Sequence, residues 1–261
     1  MTGETAVRTP IACKCCNAEA PFLGMVDFNK SCEDRRGPRP FPPSDVMVPY
    51  HRCPNCGFIF TDYCDDWTPA DFTARIYNDE YSKADYDANI VNGVTATISY
   101  ANGRQLAGHL AGAQHRIRLL DFGAGGNPGN MGQALIDAGF RVTSYEPYFA
   151  ADATRIEGRF DVIYAIEVFE HCPDVMAMAE FIGDHLTEHG LLYFSTLLHP
   201  HPSPDDVLSS WYIAPRNGHI SIFSLPAITI LFRAVGINIV QSAFGLLGIR
   251  NPTGFPNSIF T

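Results

Sequence analysis

The second half of the chain alternates short apolar runs with segments of helical character. Residues 117–122 form a buried apolar run that ends at a glycine-rich turn, and "RVTSYEP", after Gly139, is a second such run. The segment between them has the character of a helix that continues to about Ala138. Two further runs follow, in "RFDVIYAIEVFEHCPD" and "LLYFSTLLHPHP". Because strands that alternate with helices form parallel sheets, this pattern predicts an α/β fold.

Residues 65–115 lack such runs and are predicted to be mainly helical. Apolar residues recur at helical spacing in "TISYANGRQLAGHLAGAQHR". Three tyrosines, Tyr77, Tyr81 and Tyr86, precede this segment and could either close over a ligand or pack in the core. Further on, "ISIFSLPAITILFRAV" predicts a strand end followed by a packed helix. Its Ser and Pro interrupt the apolar run, and no stretch is long enough to span a bilayer.

The charge of the chain disfavours some classes of function. The 261 residues carry a net charge of −10, and 46% of them are hydrophobic, which is enough for a real core. Residues 1–64 hold seven basic and seven acidic residues, so the whole negative charge lies on the remainder. An acidic protein repels phosphate backbones and anionic lipids, and we expect no nucleic-acid or membrane partner. The polar N-terminus lacks the apolar region of a signal peptide, which predicts a cytoplasmic protein.

The cysteines predict a metal site. In "YHRCPNCGFIF", Cys53 and Cys56 lie three positions apart, before a glycine that tolerates a left-handed turn. "ACKCCNAEAP" offers the same frame with Cys13 and Cys16, followed by asparagine. Two such pairs predict one closed tetrahedral zinc site of the structural type. The alternatives are buried free thiols or a catalytic zinc, for which four cysteines leave no open position.

The turn after the first predicted strand has the character of a nucleotide site. Gly123, Ala124 and Gly125 allow the backbone to come close to a ligand. Asn127 and Pro128 are typical of the first positions of a helix. The turn and its helix therefore form the first half of a nucleotide-binding α/β unit.

Two acidic residues narrow the choice of nucleotide. Glu146, at the end of the second strand, can accept both ribose hydroxyls of a dinucleotide or of S-adenosylmethionine (SAM). A dinucleotide fingerprint would need a third glycine at position 128, where proline stands. Asp121, just before the turn, suits the cationic end of SAM. The sequence therefore favours SAM.

"LLDFGAGG" and "FDVIYAIEVFEH" together resemble the first and fourth motifs of class I SAM-dependent methyltransferases. With the cysteine pairs, nearly the whole chain is similar to zinc-containing methyltransferases of sugar and natural-product pathways. The resemblance implies a Rossmann-like sheet with helices on both faces and a small N-terminal zinc-knuckle domain. We expect the zinc domain over residues 1–65, a helical connector or lid over 66–115 and the methyltransferase domain over 116–261.

The resemblance also implies a small-molecule acceptor. We expect a saccharide or nucleotide sugar that is methylated on a hydroxyl or a carbon. Glu167 and Tyr81 complete the expected cofactor contacts, and the zinc module is expected to form a rigid lid or wall over the acceptor. One interval departs from the family. Only 14 residues separate Glu146 from Asp161, where relatives usually fit a helix, a third strand and an adenine contact. We expect this strand to be absent or severely shortened.

Removal of a proton from a hydroxyl acceptor requires a base, and histidine has a pKa near neutrality. His219 resembles the histidine that precedes a substrate-facing helix in ubiquinone-pathway O-methyltransferases. We place it first as base, with its pKa lowered by the N-terminus of the following helix. His171 is second, and His199 and His201 are further candidates.

A possible second metal site follows from the same resemblance. In those relatives a Glu-x-x-Glu-His run has been proposed to hold a divalent ion, and Glu167, Glu170 and His171 match it. They imply a possible Mg²⁺ site, with Glu170 among the catalytic candidates. Alternatively, Glu170 and His171 only orient the loop and cap the next helix.

Two other classes of function compete with a methyltransferase. A non-catalytic zinc ribbon that binds RNA or protein would not need the two methyltransferase motifs. An NAD-dependent oxidoreductase is weakened by Pro128. Calorimetry with SAM, NAD and RNA would separate the three.

Overall fold

The computed structural model describes residues 9–85, 94–126, 128–146, 156–242 and 245–251. The elements of the N-terminal part are β1 (Ile11–Ala12), β2 (Glu19–Ala20), β3 (Phe22–Asp27), β4 (Met47–Arg52), β5 (Ile59–Phe60), α1 (Pro69–Arg75), α2 (Tyr81–Ala84) and α3 (Val94–His109). Those that follow are β6 (Arg118–Phe122), α4 (Asn130–Asp137), β7 (Arg141–Tyr145), β8 (Phe160–Ile166), α5 (Val175–His185), β9 (Leu186–Ser195), β10 (Ser221–Ile222), α6 (Leu225–Ala234), β11 (Asn238–Ser242) and β12 (Gly245–Ile249). The helices α1 to α3 agree with the helical character predicted for residues 65–115. Tyr86 and Asn127 lie outside the described residues.

A six-stranded sheet in the order β11-β12-β9-β8-β6-β7 forms the centre of the molecule. Its strands β7, β6, β8 and β9 are parallel, whereas β12 and β11 pair in antiparallel fashion. The predicted α/β fold is therefore confirmed. Within the described residues β7 is the edge strand next to β6, in line with the short interval after Glu146.

Helices cover both faces of this sheet, as is usual for parallel strands. Successive residues of each strand point to opposite faces and so contact different helices. Leu119 and Val162 pack with the buried side chains of α3 and α4. Leu120 and Ile163, one position further along the same strands, pack with those of α5 and α6. The continuous apolar runs of β6 and β8 follow from this burial on two sides.

The knuckle module, defined as residues 9–64, has a sheet of its own. Its strands β3, β4 and β5 are joined by β10, which comes from the segment between β9 and α6. The four predicted metal-ligating cysteines share a hydrophobic cluster with α5 and α6, so the module packs on that face of the central sheet. The predicted strand end and helix are β10 and α6, and Ser224 caps α6 by accepting a hydrogen bond from the backbone of Ala227 at 3.2 Å.

The helix after the glycine turn begins later than expected. α4 starts at Asn130, with Gly129 as its extended N-cap residue, so the prediction of a start at Asn127-Pro128 is wrong. A side chain at position 129 would clash with the carbonyl oxygen of Ala124. Glycine lets the turn close on itself, and the helix begins only afterwards. The predicted end is confirmed, since α4 stops at Asp137 and Gly139 has a left-handed φ of 87°.

Across the described ranges, the helices are all too short or too polar to traverse a bilayer.

Candidate active site

A cleft of about 520 Å³ opens where β6, β7 and β8 end. In open α/β sheets, ligands bind at this carboxyl edge. We call the part lined by Gly123, Gly125 and Glu146 the glycine end. The part lined by Tyr77, Tyr81 and His171 is the tyrosine end. A third group of lining residues belongs to the start of α5 and the loop before it: Cys172, Pro173, Asp174, Ala177, Met178 and Phe181.

At the glycine end, the backbone adopts conformations that favour glycine. Gly123 and Gly125 have left-handed φ values of 80° and 60°. A side chain at position 123 would lie 2.6 Å from Val168, so the turn packs closely against the loop after β8. The Gly125 N–H donates a hydrogen bond to Glu146 Oε2 at 3.0 Å. The predicted turn and the predicted acidic residue are thus brought together.

Asp121 lies on a smaller cavity of about 170 Å³ that shares Gly123 with the cleft. Ala124 and Tyr164 also line this cavity, together with Ser99 and other residues of α3 and α4. Asp121 is buried, and burial raises its pKa to about 7. A cationic ligand group would restore the ionised form of this carboxyl. Asp121 and Ala124 therefore line this neighbouring cavity and not the cleft itself.

At the tyrosine end, side chains from distant parts of the chain meet. The Tyr77 hydroxyl lies 3.3 Å from His171 Nδ1, and the Tyr77 and Tyr81 rings have centroids 5.1 Å apart. Burial lowers the pKa of His171 to about 4, so its imidazole is neutral at pH 7. Gly218 packs closely against this pair, since a side chain there would lie 3.1 Å from His171 Nδ1 and 3.3 Å from the Tyr77 hydroxyl.

The two glutamates of the Glu-x-x-Glu-His run have different surroundings. Glu167 has a left-handed φ of 53°, and its carboxylate accepts hydrogen bonds from Ser195 Oγ at 2.7 Å and Tyr212 at 3.2 Å. Non-glycine residues hold such backbone conformations only where their surroundings fix them. Glu170 is fully buried, and within the described residues neither of its carboxylate oxygens has a hydrogen-bond partner. Burial and the nearby Glu167 raise the pKa of Glu170 to about 8.

His219 is not among the residues that line the cleft. It is 9% exposed, its ring lies 4.9 Å from that of His171, and its Nδ1 donates to the Tyr212 carbonyl at 2.9 Å. Its pKa is lowered as expected, but by burial and the neighbouring His171 rather than by a helix N-terminus. β10 separates it from α6, which corrects the physical reason given for its choice.

His199 and His201 lie beside the knuckle module. The His199 N–H donates to the Phe223 carbonyl at 2.9 Å, next to the start of α6. The His201 ring lies over Gly57, where an added side chain would be 2.6 Å from it. Neither residue lines the cleft.

The set of ligands expected for Mg²⁺ is not assembled, because Glu167 is held by Ser195 and Tyr212. Instead, Glu170, His171 and His219 bring one ligand atom each within 4.8 Å of one another. One carboxylate and two imidazoles lack the oxygen ligands that Mg²⁺ prefers. The described residues of this cluster therefore do not fit Mg²⁺.

The four predicted cysteines come together in one cluster. Cys13 and Cys56 have sulfur atoms 3.6 Å apart, and those of Cys16 and Cys53 are 3.5 Å apart. Tetrahedral zinc with Zn–S bonds of about 2.3 Å requires sulfur separations of ~3.8 Å. All four ligand atoms lie within 4.8 Å of one another, so the cluster fits a tetrahedral metal.

The residues that follow each pair agree with the predicted turn. Asn17 and Gly57 have left-handed φ values of 58° and 80°. Their N–H groups donate to the carbonyls of Cys13 and Cys53, both at 2.9 Å. The two turns are alike, as expected for two equivalent knuckles.

Sequence reasoning missed several cleft residues. Tyr145 ends β7 directly before Glu146, and its ring stacks on Phe181 of α5 with centroids 4.7 Å apart. The position of Tyr145 at a strand end was a usable signal. Tyr77 was considered only as part of a tyrosine group, and Asp174 and the other residues before α5 carry no recognisable motif.

A family model described as a methyltransferase domain matches residues 98–242, more than half of the chain. The chain is also similar to the solved structure of phosphoethanolamine N-methyltransferase 2 from Haemonchus contortus in complex with phosphomonomethylethanolamine and S-adenosylhomocysteine (SAH). The two are 14% identical with a TM-score of 0.50, over 69% of this chain and 48% of the other. No curated protein sequence matches the chain.

Two further solved structures are similar. An O-methyltransferase family protein from Burkholderia thailandensis is 14% identical with a TM-score of 0.48, over 69% of this chain and 63% of the other. CalO1, a methyltransferase in calicheamicin biosynthesis solved with SAH, is 15% identical with a TM-score of 0.43, over 72% and 70%. At these identities the likeness concerns the fold alone.

The chain belongs to the methyltransferase family, since the family model covers more than half of it. It is a SAM-dependent methyltransferase. Membership of this family decides against the two competing classes of function, the NAD-dependent oxidoreductase and the non-catalytic zinc ribbon.

Proposed function

We propose that the enzyme transfers the methyl group of SAM to a hydroxyl of a saccharide or nucleotide sugar. The observation that carries this proposal is that one cleft joins Gly125 and Glu146 at one end to His171 at the other. Glu146 would accept hydrogen bonds from the ribose hydroxyls, and Asp121 would face the cationic amino-acid end. The remaining contacts proposed for the cofactor are Gly123, Ala124, Glu167 and Tyr81.

We assign the role of base to His171 in place of His219. SAM held at the glycine end would supply an electrophilic methyl group for the acceptor oxygen and would leave as neutral SAH. The proton of the hydroxyl passes to His171, which lines the cleft and is neutral at pH 7 because burial lowers its pKa to about 4.

The tyrosine end supports a polyhydroxylated acceptor. Tyr77 and Tyr81 offer aromatic rings at an interplanar angle of 64°, on which the apolar face of a sugar ring could pack. His171 supplies a polar group at the same end of the cleft. Aromatic side chains with a few placed polar groups are the usual composition of a small-molecule site.

We also propose that Cys13, Cys16, Cys53 and Cys56 hold one structural zinc ion. The sulfur separations and the burial of the cluster support this assignment. Four thiolate ligands leave no open coordination position, so the ion would stabilise the module and take no part in methyl transfer.

The acceptor class can be tested with SAM that carries a radioactive methyl group. We expect label to pass to nucleoside diphosphate hexoses or free hexoses and not to phenols or primary amines. Incubations without acceptor and with heat-inactivated enzyme measure the background. Transfer to phenols or amines with none to any sugar would overturn the proposed acceptor while leaving the class of enzyme intact.

A further inference from the structure

The knuckle module holds the loop that forms one wall of the cleft. The Ile220 N–H, next to β10, donates to the Glu170 carbonyl at 2.9 Å. Ser221, in β10, donates through its hydroxyl to the Cys172 carbonyl at 2.7 Å. Lys14 Nζ donates to the Pro173 carbonyl at 3.0 Å. Three carbonyls of residues 170–173 are thus fixed by the sheet and the first knuckle of this module.

Lys14 is the member of this group that lies within the four-cysteine site. It follows the predicted ligand Cys13 directly, and its amino group also donates to the Thr61 carbonyl at 2.9 Å and pairs with Asp65. Its side chain is only 15% exposed. With three fixed partners, the ammonium group can hold the Pro173 carbonyl in one place.

Pro173 leads into the part of the wall that faces the glycine end. The next residue, Asp174, caps α5 by accepting a hydrogen bond from the Ala177 N–H at 2.9 Å. Ala177, Met178 and Phe181 of α5 then line the cleft. A shift of the Pro173 carbonyl would therefore move the cap and the first turns of α5 together.

We propose that Lys14 is a positioning residue that connects the four-cysteine metal site to the cofactor wall of the cleft. Metal binding fixes the first knuckle, the knuckle fixes the lysine, and the lysine fixes Pro173 and the start of α5. The affinity for the cofactor would then depend on an ion that never touches it. This inference rests on the proposed placement of SAM at the glycine end.

The test compares Lys14→Met with Lys30→Met by calorimetric titration of SAH. Lys30 is a matched control, since its amino group also donates to two carbonyls, those of Leu208 and Ser210, both at 2.7 Å, away from the cleft. Lys14→Met is expected to raise the Kd for SAH about tenfold, the scale of one lost charge-assisted hydrogen bond. Lys30→Met is expected to leave the Kd unchanged.

Two further readouts separate positioning from general damage. Lys14→Met should keep its full metal content and should exchange the amide hydrogens of residues 172–181 faster, which Lys30→Met should not. If Lys14→Met does not fold, Ser221→Ala removes the neighbouring tie and should raise the Kd in the same direction.

Each outcome has a clear meaning. An unchanged Kd in Lys14→Met, or loss of its metal, would overturn the proposal. Glu146→Ala serves as the reference, because an unchanged Kd in that variant would instead show that the proposed placement of the cofactor is at fault.

Discussion

Replacement of His171 by Ala is expected to lower the rate of methyl transfer by roughly 10²–10⁴-fold, the usual contribution of a general base. The affinity for SAH should stay within a few-fold of the wild-type value, because the imidazole lies at the tyrosine end of the cleft. The expectation follows from two observations. His171 lines the cleft, and burial keeps it neutral at pH 7 by lowering its pKa to about 4. The measurement is single-turnover transfer at saturating SAM.

Two further variants make this test specific. His189→Ala, on the exposed part of β9, should transfer methyl groups at the wild-type rate. His219→Ala is expected to reduce stability, because His219 is buried and bonded to the Tyr212 carbonyl. A folded His219→Ala variant that loses transfer while His171→Ala retains it would reverse the assignment of the base.

The second large effect concerns the metal. Cys53→Ser is expected to lose the ion and to unfold the knuckle module. The apparent binding free energy of a structural zinc, about 10–16 kcal/mol in zinc-finger peptides, is folding free energy. The cysteines share a hydrophobic cluster with α5 and α6, so the damage should spread to the cleft wall. Elemental analysis of protein purified without chelator measures the loss of the ion. Limited proteolysis, with cleavage sites mapped to residues 9–64, measures the unfolding of the module.

Cys64→Ser is the matched control for this variant. Cys64 is also buried, but it lies outside the four-cysteine cluster. The Cys64→Ser variant should retain one zinc per chain, and its free energy of unfolding should fall only modestly. Native protein without zinc, or a Cys53→Ser variant that still binds it in full, would contradict the assignment.

The sequence predicted the features that depend on local chemistry. Gly57 and Asn17 follow their cysteine pairs because each turn needs a left-handed residue, and both have one. The glycine turn was identifiable because its motif directly follows a predicted strand. Glu146 was identifiable because it stands at the end of the next predicted strand. The interval between Glu146 and Asp161 predicted a shortened edge of the sheet, because 14 residues are too few for a further helix and strand.

Features that depend on contacts between distant segments were not predictable. Nothing in "HISIFS" shows that Ser221 and Ile222 pair with β5 of the knuckle module. That pairing places His219 between Tyr212 and His171 and away from the cleft surface. Likewise, the sequence does not show that Gly218 packs closely against Tyr77 and His171. His171, the neighbour of His219 in space, is therefore the proposed base.

Calorimetric titration of Glu146→Ala with SAH shows whether the cofactor binds at the glycine end. Loss of charge-assisted hydrogen bonds to the ribose should cost about 1.5–3 kcal/mol, or one to two decades in Kd. Glu188→Ala, an exposed glutamate in β9, is the matched control and should bind SAH like the wild type. We expect tight SAH binding by the wild type, weak binding by Glu146→Ala and no binding of NAD. Equal affinity of Glu146→Ala and the wild type for SAH would contradict this expectation.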